Sequence, residues 1–145
     1  MRAILTRLTK QIGWNRRIFT ERDLLDVCRA QGVPVVDAVL PEKGIYTRLQ
    51  DGRLLIGLDR NLKGFDRRRV LAHEVGHMLL HTPGQWYSWL CNEQKLHWQA
   101  EVFAACALLP QRLLYSPDAA EIQHILTLPR ELVRLRVEVW RRMNL

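Results

Sequence analysis

The chain has 145 residues, 48% of them apolar and 26% charged, and carries a formal net charge of +7. This length and composition predict a single folded domain over residues 1–145, and no apolar run is long enough to span a bilayer. The start of the sequence lacks the apolar segment and the cleavage site of a signal peptide, so we expect a cytoplasmic protein without membrane attachment.

The cysteines and the arginines exclude further classes of protein. Cys28, Cys91 and Cys106 are odd in number and widely spaced, which argues against a disulfide framework and a cysteine zinc knuckle. We interpret them as reduced, buried side chains. The arginines are spread through the chain, and no helix-turn-helix, zinc-finger or RNA-binding signature accompanies them. We therefore expect no direct nucleic-acid binding, and a DNA-associated protein, motivated by the charge of +7, is kept as a third hypothesis.

The first predicted elements are a helix and three short strands. Thr20 can cap a helix over ERDLLDVCRAQ, which stops at Gly32. Three β-like runs follow, over residues 33–40, 44–50 and 53–59. Asp51-Gly52 between the last two runs predicts a hairpin. We take 53–59 as the natural edge strand for pairing with a peptide, with an internal strand as the alternative.

Three helices complete the predicted order. The first contains RRRVLAHEVGHMLLH, residues 67–81, and the second covers EQKLHWQAEVFAACALL and is ended by Pro110. The third, LPRELVRLRVEVWRR, is amphipathic, and its predicted apolar positions are Leu132, Val133, Leu135, Val137 and Trp140. The order of elements predicts an α+β fold with a small antiparallel sheet packed on the helices.

The segment HEVGH inside the first of these helices predicts a catalytic zinc site. His73 and His77 lie four positions apart, so both imidazoles share one helix face, and Glu74 can reach a water held between them. Zinc in such a site keeps one position for water and lowers its pKa, and the glutamate takes the proton. The alternative is two core histidines satisfied by hydrogen bonds. We interpret His81, one turn further on, as a polar helix end.

A third protein ligand is expected from the second long helix. His97 and Glu101 are four apart and share a face, whereas Gln99 points elsewhere. Glu101 is the first choice as ligand and His97 is the alternative. Whichever is not a ligand could orient a ligating histidine. Glu93 is a weaker candidate.

With these motifs in view, the chain resembles the ImmA/IrrE family of small metallopeptidases. RRRVLAHEVGHMLLH and QAEVFAACALLP carry the resemblance, which extends over roughly residues 20–142. It implies a zincin-like fold and a zinc-dependent endopeptidase that cuts a helix-turn-helix repressor. His73 and His77 match the family's metal ligands and Glu74 matches its catalytic glutamate. The chain departs from the family at Gln99, where members often have a glutamate.

A second hypothesis is a non-catalytic module on the same fold that binds and sequesters a protein partner. If the protein is a zinc endopeptidase, the tryptophan-rich stretch between the two metal helices is a candidate for substrate binding. Trp86, Tyr87 and Trp89 could form a substrate wall, or they could cover the core. Tyr87, Tyr115 and His97 are the candidates for stabilising the developing oxyanion.

Overall fold

The structure is a computed structural model that describes residues 1–81 and 93–145. Over this part of the chain it contains seven helices and a three-stranded sheet, so the predicted α+β class is confirmed. The helices are α1 (Arg2–Ile12), α2 (Glu21–Ala30), α3 (Gly64–Leu80), α4 (Glu93–Leu108), α5 (Arg112–Tyr115), α6 (Ala119–Thr127) and α7 (Arg130–Met143). The strands are β1 (Val35–Ala38), β2 (Gly44–Arg48) and β3 (Leu54–Asp59).

The chain forms two compact units. One is Thr20–Ala104, and the other combines Met1–Phe19 with Ala105–Leu145. The prediction of a single domain over 1–145 stays a prediction. None of the helices over residues 1–81 and 93–145 is long and apolar enough to cross a membrane.

The unit Thr20–Ala104 begins with the capped helix that the sequence predicts. The Thr20 side chain accepts a hydrogen bond from the backbone N–H of Asp23, and the Asp23 carboxylate accepts one from the backbone N–H of Thr20. This reciprocal pair satisfies two amides that have no partner inside α2. Leu24 and Cys28, four positions apart, are the buried side chains of the helix.

The sheet is mixed, so the prediction of an antiparallel sheet is wrong for one of its two strand pairs. β2 and β3 form the hairpin expected at Asp51-Gly52, whereas β1 pairs parallel to β3, in the order β1-β3-β2. The chain reverses direction after β1 and again after β2, so β3 runs parallel to β1. Because β3 lies between β1 and β2, the parallel strands are the ones that pair. The run 53–59 is therefore the central strand and not an edge. Burial of Ile56 and Leu58 agrees with that position.

Helix α3 packs on β2, β3 and α2 within this unit. Arg67 connects α3 to α2 and to β1, because its guanidinium lies 2.6 Å from the carboxylate of Glu21 and 2.8 Å from that of Asp37. The approach of α4 to α3 requires glycine at position 76. A Cβ there would lie 3.0 Å from the Cα and carbonyl oxygen of Ala100. The two long helices therefore meet backbone to backbone next to His77.

The unit of Met1–Phe19 and Ala105–Leu145 contains helices that the sequence reasoning did not predict, α1, α5 and α6. Leu5 and Leu8 are the buried residues of α1, and Asp118 with Glu121 forms a capping box on α6. The apolar spacing in α1 and the capping box of α6 are local sequence patterns that could have predicted both helices. Helix α7 is present where predicted, but it buries Leu132, Arg136 and Val139, so two of its three buried positions were not predicted.

Candidate metal centre

The HEVGH segment lies in the middle of α3, as predicted. Glu74 is 7% exposed and His77 is 1% exposed, whereas His73 is half-buried. Leu71, Ala72 and Val75 around them are fully buried, so the helix cannot rotate without exposing apolar surface. This packing keeps the two histidines on the same side of α3.

Three imidazoles converge at one point between α3 and α4. The Nε2 atoms of His73 and His77 are 3.0 Å apart, and His97 Nδ1 lies 3.3 Å from His73 Nε2. One ligand atom from each of His73, His77 and His97 can be chosen so that all lie within 4.8 Å of one another. A single cation could therefore contact all three rings.

Glu101 contacts the far side of His73. Its Oε1 atom is 2.6 Å from Nδ1 of His73, the ring atom that faces away from the other two imidazoles. This hydrogen bond is the main cause that lowers the pKa of Glu101, so the carboxylate is ionised and the His73 Nδ1–H donates. Of the two ligand candidates on α4, His97 lies in the cluster and Glu101 lies behind one of its members.

His81 lies behind His77 in the same way. The Nδ1 atoms of His77 and His81 are 2.9 Å apart, and Nε2 of His81 is 2.9 Å from the side-chain oxygen of Gln99. His81 is only 5% exposed, so its interpretation as a polar helix end is incomplete. Sequence spacing could have indicated this contact, because residues 77 and 81 are one helical turn apart.

The donor set fits a metal cation. Burial, together with the neighbouring histidines, lowers the pKa of His77 to about 2, so this ring is neutral. Glu101 contacts Nδ1 of His73 and His81 contacts Nδ1 of His77, so the Nε2 atoms of both rings, 3.0 Å apart, are the atoms left to bind a ligand. A cation between these two nitrogen atoms would accept an electron pair from each. Neutral imidazole is also the form that binds zinc.

Glu74 faces the same cluster and has an unusual environment. Desolvation raises its pKa to about 7, the charge of Glu42 adds to the increase, and His73 and the backbone N–H of Tyr46 oppose it. A Cβ on Gly44 would lie 3.2 Å from the Glu74 side chain and 2.5 Å from Val70. Glycine at position 44 therefore leaves the space in which Glu74 lies against β2.

A cleft of about 390 Å³ opens beside these residues. Strand β2 contributes one side of it, and α3 and α4 contribute the rest. The residues that line it are Glu42, Gly44, Ile45, Tyr46, Thr47, Glu74, His77, Glu93, Leu96 and His97. Glu93 is thus near the site, although it is absent from the three-residue cluster.

The remaining candidates lie elsewhere. Tyr115 is 61% exposed and accepts a hydrogen bond from the indole N–H of Trp140, in the unit that does not contain His73. Trp86, Tyr87 and Trp89, and also Cys91, lie outside the described residues, so their predicted roles stay predictions.

One protein family matches the chain. The model of the IrrE N-terminal-like domain, Peptidase_M78, covers residues 28–139, which include every residue of the cluster and its surroundings described above. No curated protein and no solved structure matches the chain significantly.

Proposed function

Because the chain belongs to the IrrE N-terminal-like peptidase family, which confirms the resemblance to ImmA/IrrE proteins, we propose that it is a zinc-dependent endopeptidase of zincin-like fold. The observation that carries this proposal is the convergence of three histidines from two helices beside a buried glutamate. Neutral imidazoles are preferred ligands of zinc, and three protein ligands leave a fourth position for water.

In this proposal His73, His77 and His97 hold the zinc ion. The distances among the three rings support His97 as the third ligand, because its Nδ1 atom faces the Nε2 atom of His73 at 3.3 Å. Glu101 then orients His73, as a carboxylate behind a metal-bound histidine commonly does. The sequence favoured Glu101 as the ligand, and its hydrogen bond to His73 supports the orienting role.

Glu74 is the proposed general base. When bound, zinc lowers the pKa of its water ligand and polarises the scissile carbonyl. Glu74 is adjacent to His73 in sequence, faces the cleft, and has a pKa near 7, which suits a group that takes a proton and later returns it to the leaving amine. The N–H of Tyr46 stabilises the ionised carboxylate, which is the form of Glu74 before the first transfer and after the second.

Strand β2 is the proposed site of peptide binding, by addition of a strand to the outer edge that β2 forms within the described residues. The hydrogen bonds between β2 and β3 involve Lys43 and Leu49 at the two ends of the hairpin. By the alternation of an antiparallel ladder, Ile45 and Thr47 also face β3, and the amides of Gly44, Tyr46 and Arg48 face outward. The outward side includes the cleft that contains Glu74 and His77.

The family resemblance supports a helix-turn-helix transcriptional repressor as the substrate and a cytoplasmic location. The competing proposal is a module that binds such a partner without cutting it. Gln99 is the observation that favours the competing proposal, because it replaces the glutamate often found there and contacts His81 instead of the cluster. The two proposals differ in whether the partner is cleaved.

The test is incubation with purified helix-turn-helix repressors, beginning with any that the neighbouring genes encode, followed by mass spectrometry of the fragments. The zinc-loaded wild type should cut one of them, and Glu74→Gln should retain zinc and lose cleavage. Asp66→Asn, an exposed change on the same helix, is the control and should cut normally. Binding without cleavage by the wild type would favour the sequestering module.

A further inference from the structure

We propose that His81 and Gln99 together position the metal ligand His77. This inference rests on the proposed function, because it assigns the two residues a role toward the same zinc site. The three side chains form a hydrogen-bonded chain with steps of 2.9 Å and 2.9 Å, from His77 through His81 to Gln99. The chain connects α3 to α4, so it also connects the helices that supply the histidines.

The direction of each hydrogen bond follows from the last residue of the chain. The oxygen of Gln99 can only accept, so Nε2–H of His81 donates to it. Because the proton of the His81 ring is on Nε2, its Nδ1 atom, which faces His77, is left as the acceptor. The Nδ1–H of His77 therefore donates to His81, and Nε2 of His77 keeps its lone pair toward His73.

The backbone of His81, as well as its hydrogen bond to Gln99, fixes the position of its side chain. It is the first residue after α3, with extended φ and ψ angles of −123° and 140°, and its amide donates to the carbonyl of His77 at 3.0 Å. The extended conformation returns its side chain to His77 instead of continuing the helix. At 5% exposure, water cannot easily replace either hydrogen bond.

The first test measures the tautomer of His77 in the metal-free protein by nitrogen-15 NMR of the imidazole rings. The wild type should show His77 protonated on Nδ1. His81→Leu and Gln99→Leu should produce a mixture of tautomers, whereas Gln99→Glu, which keeps an acceptor, should retain the wild-type signal. His124→Leu, a histidine in the other unit, is the matched control.

The second readout is zinc affinity by competition with a chelator. We expect His81→Leu and Gln99→Leu to weaken binding by about 10–100-fold, the range typical of residues that orient a metal ligand. An unchanged His77 tautomer in both leucine variants would overturn the inference. The tautomer is measured without metal, so the result stands apart from any failure of the wild type to bind zinc or cut a partner.

We infer separately that the exposed side of α1 binds the phosphate backbone of nucleic acid. The net charge of +7 is confined to one unit of the protein. Met1–Phe19 and Ala105–Leu145 carry eleven cationic and four acidic side chains, whereas Thr20–Ala104 carries eleven of each. The arginines are spread along the sequence, but acidic side chains equal the cationic ones in number only in the unit with the metal cluster.

Within the basic unit the charge is most concentrated on α1 and the turn after it. Arg2, Arg7, Lys10 and Arg16 are all exposed, and no acidic residue occurs before Glu21. Over the described residues, none of these four cations forms an ion pair with a carboxylate. The apolar side of α1, with Leu5 and Leu8, is buried, so it is not available for insertion into a membrane. This arrangement fits backbone contacts that read no sequence.

The test is fluorescence anisotropy of the full chain with a 20-base-pair duplex of random sequence at several salt concentrations. Changing Arg2, Arg7, Lys10 and Arg16 to glutamine should weaken binding at least tenfold. It should also reduce the salt slope by about 0.9 for each phosphate that is no longer neutralised. The matched variant changes four exposed cations of the neutral unit, Arg22, Arg48, Arg60 and Lys63, and should bind almost as tightly as the wild type. An equal decrease in affinity for both variants, or equally tight binding of polyglutamate or anionic vesicles, would refute the inference.

Discussion

The imidazole of His73 is hydrogen-bonded through Nδ1 to Oε1 of Glu101, at 2.6 Å. In the proposed site this contact separates the residue that orients His73 from the residues that bind the metal with it. One side of the His73 ring is held by a carboxylate of α4, and the opposite side faces His77 and His97. The same α4 face thus supplies both a ring toward the cluster and a carboxylate behind it.

The different positions of Glu101 and His97 predict different losses on substitution. Glu101→Gln keeps a hydrogen-bond acceptor but removes the charge, so we expect one equivalent of zinc to remain bound, with affinity about 10–100-fold lower. His97→Ala removes a ligand atom and should no longer retain stoichiometric zinc after dialysis. Metal analysis of both variants checks this, and the opposite order of losses would make Glu101 the ligand.

The close approach of α3 and α4 predicts that Gly76→Ala destabilises the protein. In an ordinary helix this change stabilises by up to about 1 kcal/mol. Here the added Cβ would lie 3.0 Å from backbone atoms of Ala100, which cannot move as a flexible side chain would. We expect a loss of about 1–3 kcal/mol in the free energy of unfolding, measured with urea. A gain in stability would show that the helices separate easily.

Buried Arg136 predicts a large difference between two neighbouring arginines of α7. Its guanidinium donates to the carbonyl of Leu109 at 2.6 Å and to the side chain of Asn15 at 3.0 Å, whereas Arg134 is exposed. Each hydrogen bond from a charged group contributes about 1.5–3 kcal/mol. Arg136→Ala should therefore cost several times more unfolding free energy than Arg134→Ala, which should change it by about 0.5 kcal/mol or less.

The buried cysteines predict low thiol reactivity in the folded protein. Burial raises the pKa of Cys28 to about 11 and that of Cys106 to about 12, so neither forms appreciable thiolate at pH 8. In a Cys91→Ala background, iodoacetamide should label neither thiol until denaturant is added, as followed by mass spectrometry. Rapid labelling of the native protein would contradict this burial.

The same pKa shifts predict how stability depends on pH in alkaline solution. The folded state keeps both thiols protonated above pH 9, whereas the unfolded chain loses these protons near its ordinary pKa of 9.0. The unfolded state then binds fewer protons, so the contribution of the thiols to unfolding free energy decreases from about pH 9 to about pH 12. Urea denaturation across this range should show a smaller decrease for Cys106→Ala than for the wild type.

The parts of the fold that follow local patterns could be predicted from the sequence. The HEVGH helix, the Thr20 cap, the Asp51-Gly52 hairpin and the end of α4 before Pro110 all depend on residues within a few positions of one another. The order of the strands depends on which partner β1 meets in space, and a short turn permits either arrangement. For this reason the parallel pairing of β1 with β3 was missed.

The same limit applies to the site. His73, Glu74 and His77 could be identified because one helix turn brings them together. Glu101 and His97 were identified as a pair, but their roles depend on where α4 crosses α3, at the contact of Gly76 with Ala100. The contact of His81 with His77 follows from their spacing of four residues, but its hydrogen bond to Gln99 depends on where α4 lies and could not be predicted.

The most direct test of the central claim is X-ray absorption at the zinc edge of the purified, zinc-loaded protein. The proposal predicts one zinc ion bound by three imidazole nitrogens and one oxygen, at about 2.0–2.1 Å. Glu101→Gln should leave the imidazole count at three, whereas His97→Ala should retain too little zinc to give this spectrum. A wild-type shell with two imidazoles and a carboxylate, or the absence of bound zinc, would contradict the assignment of His73, His77 and His97.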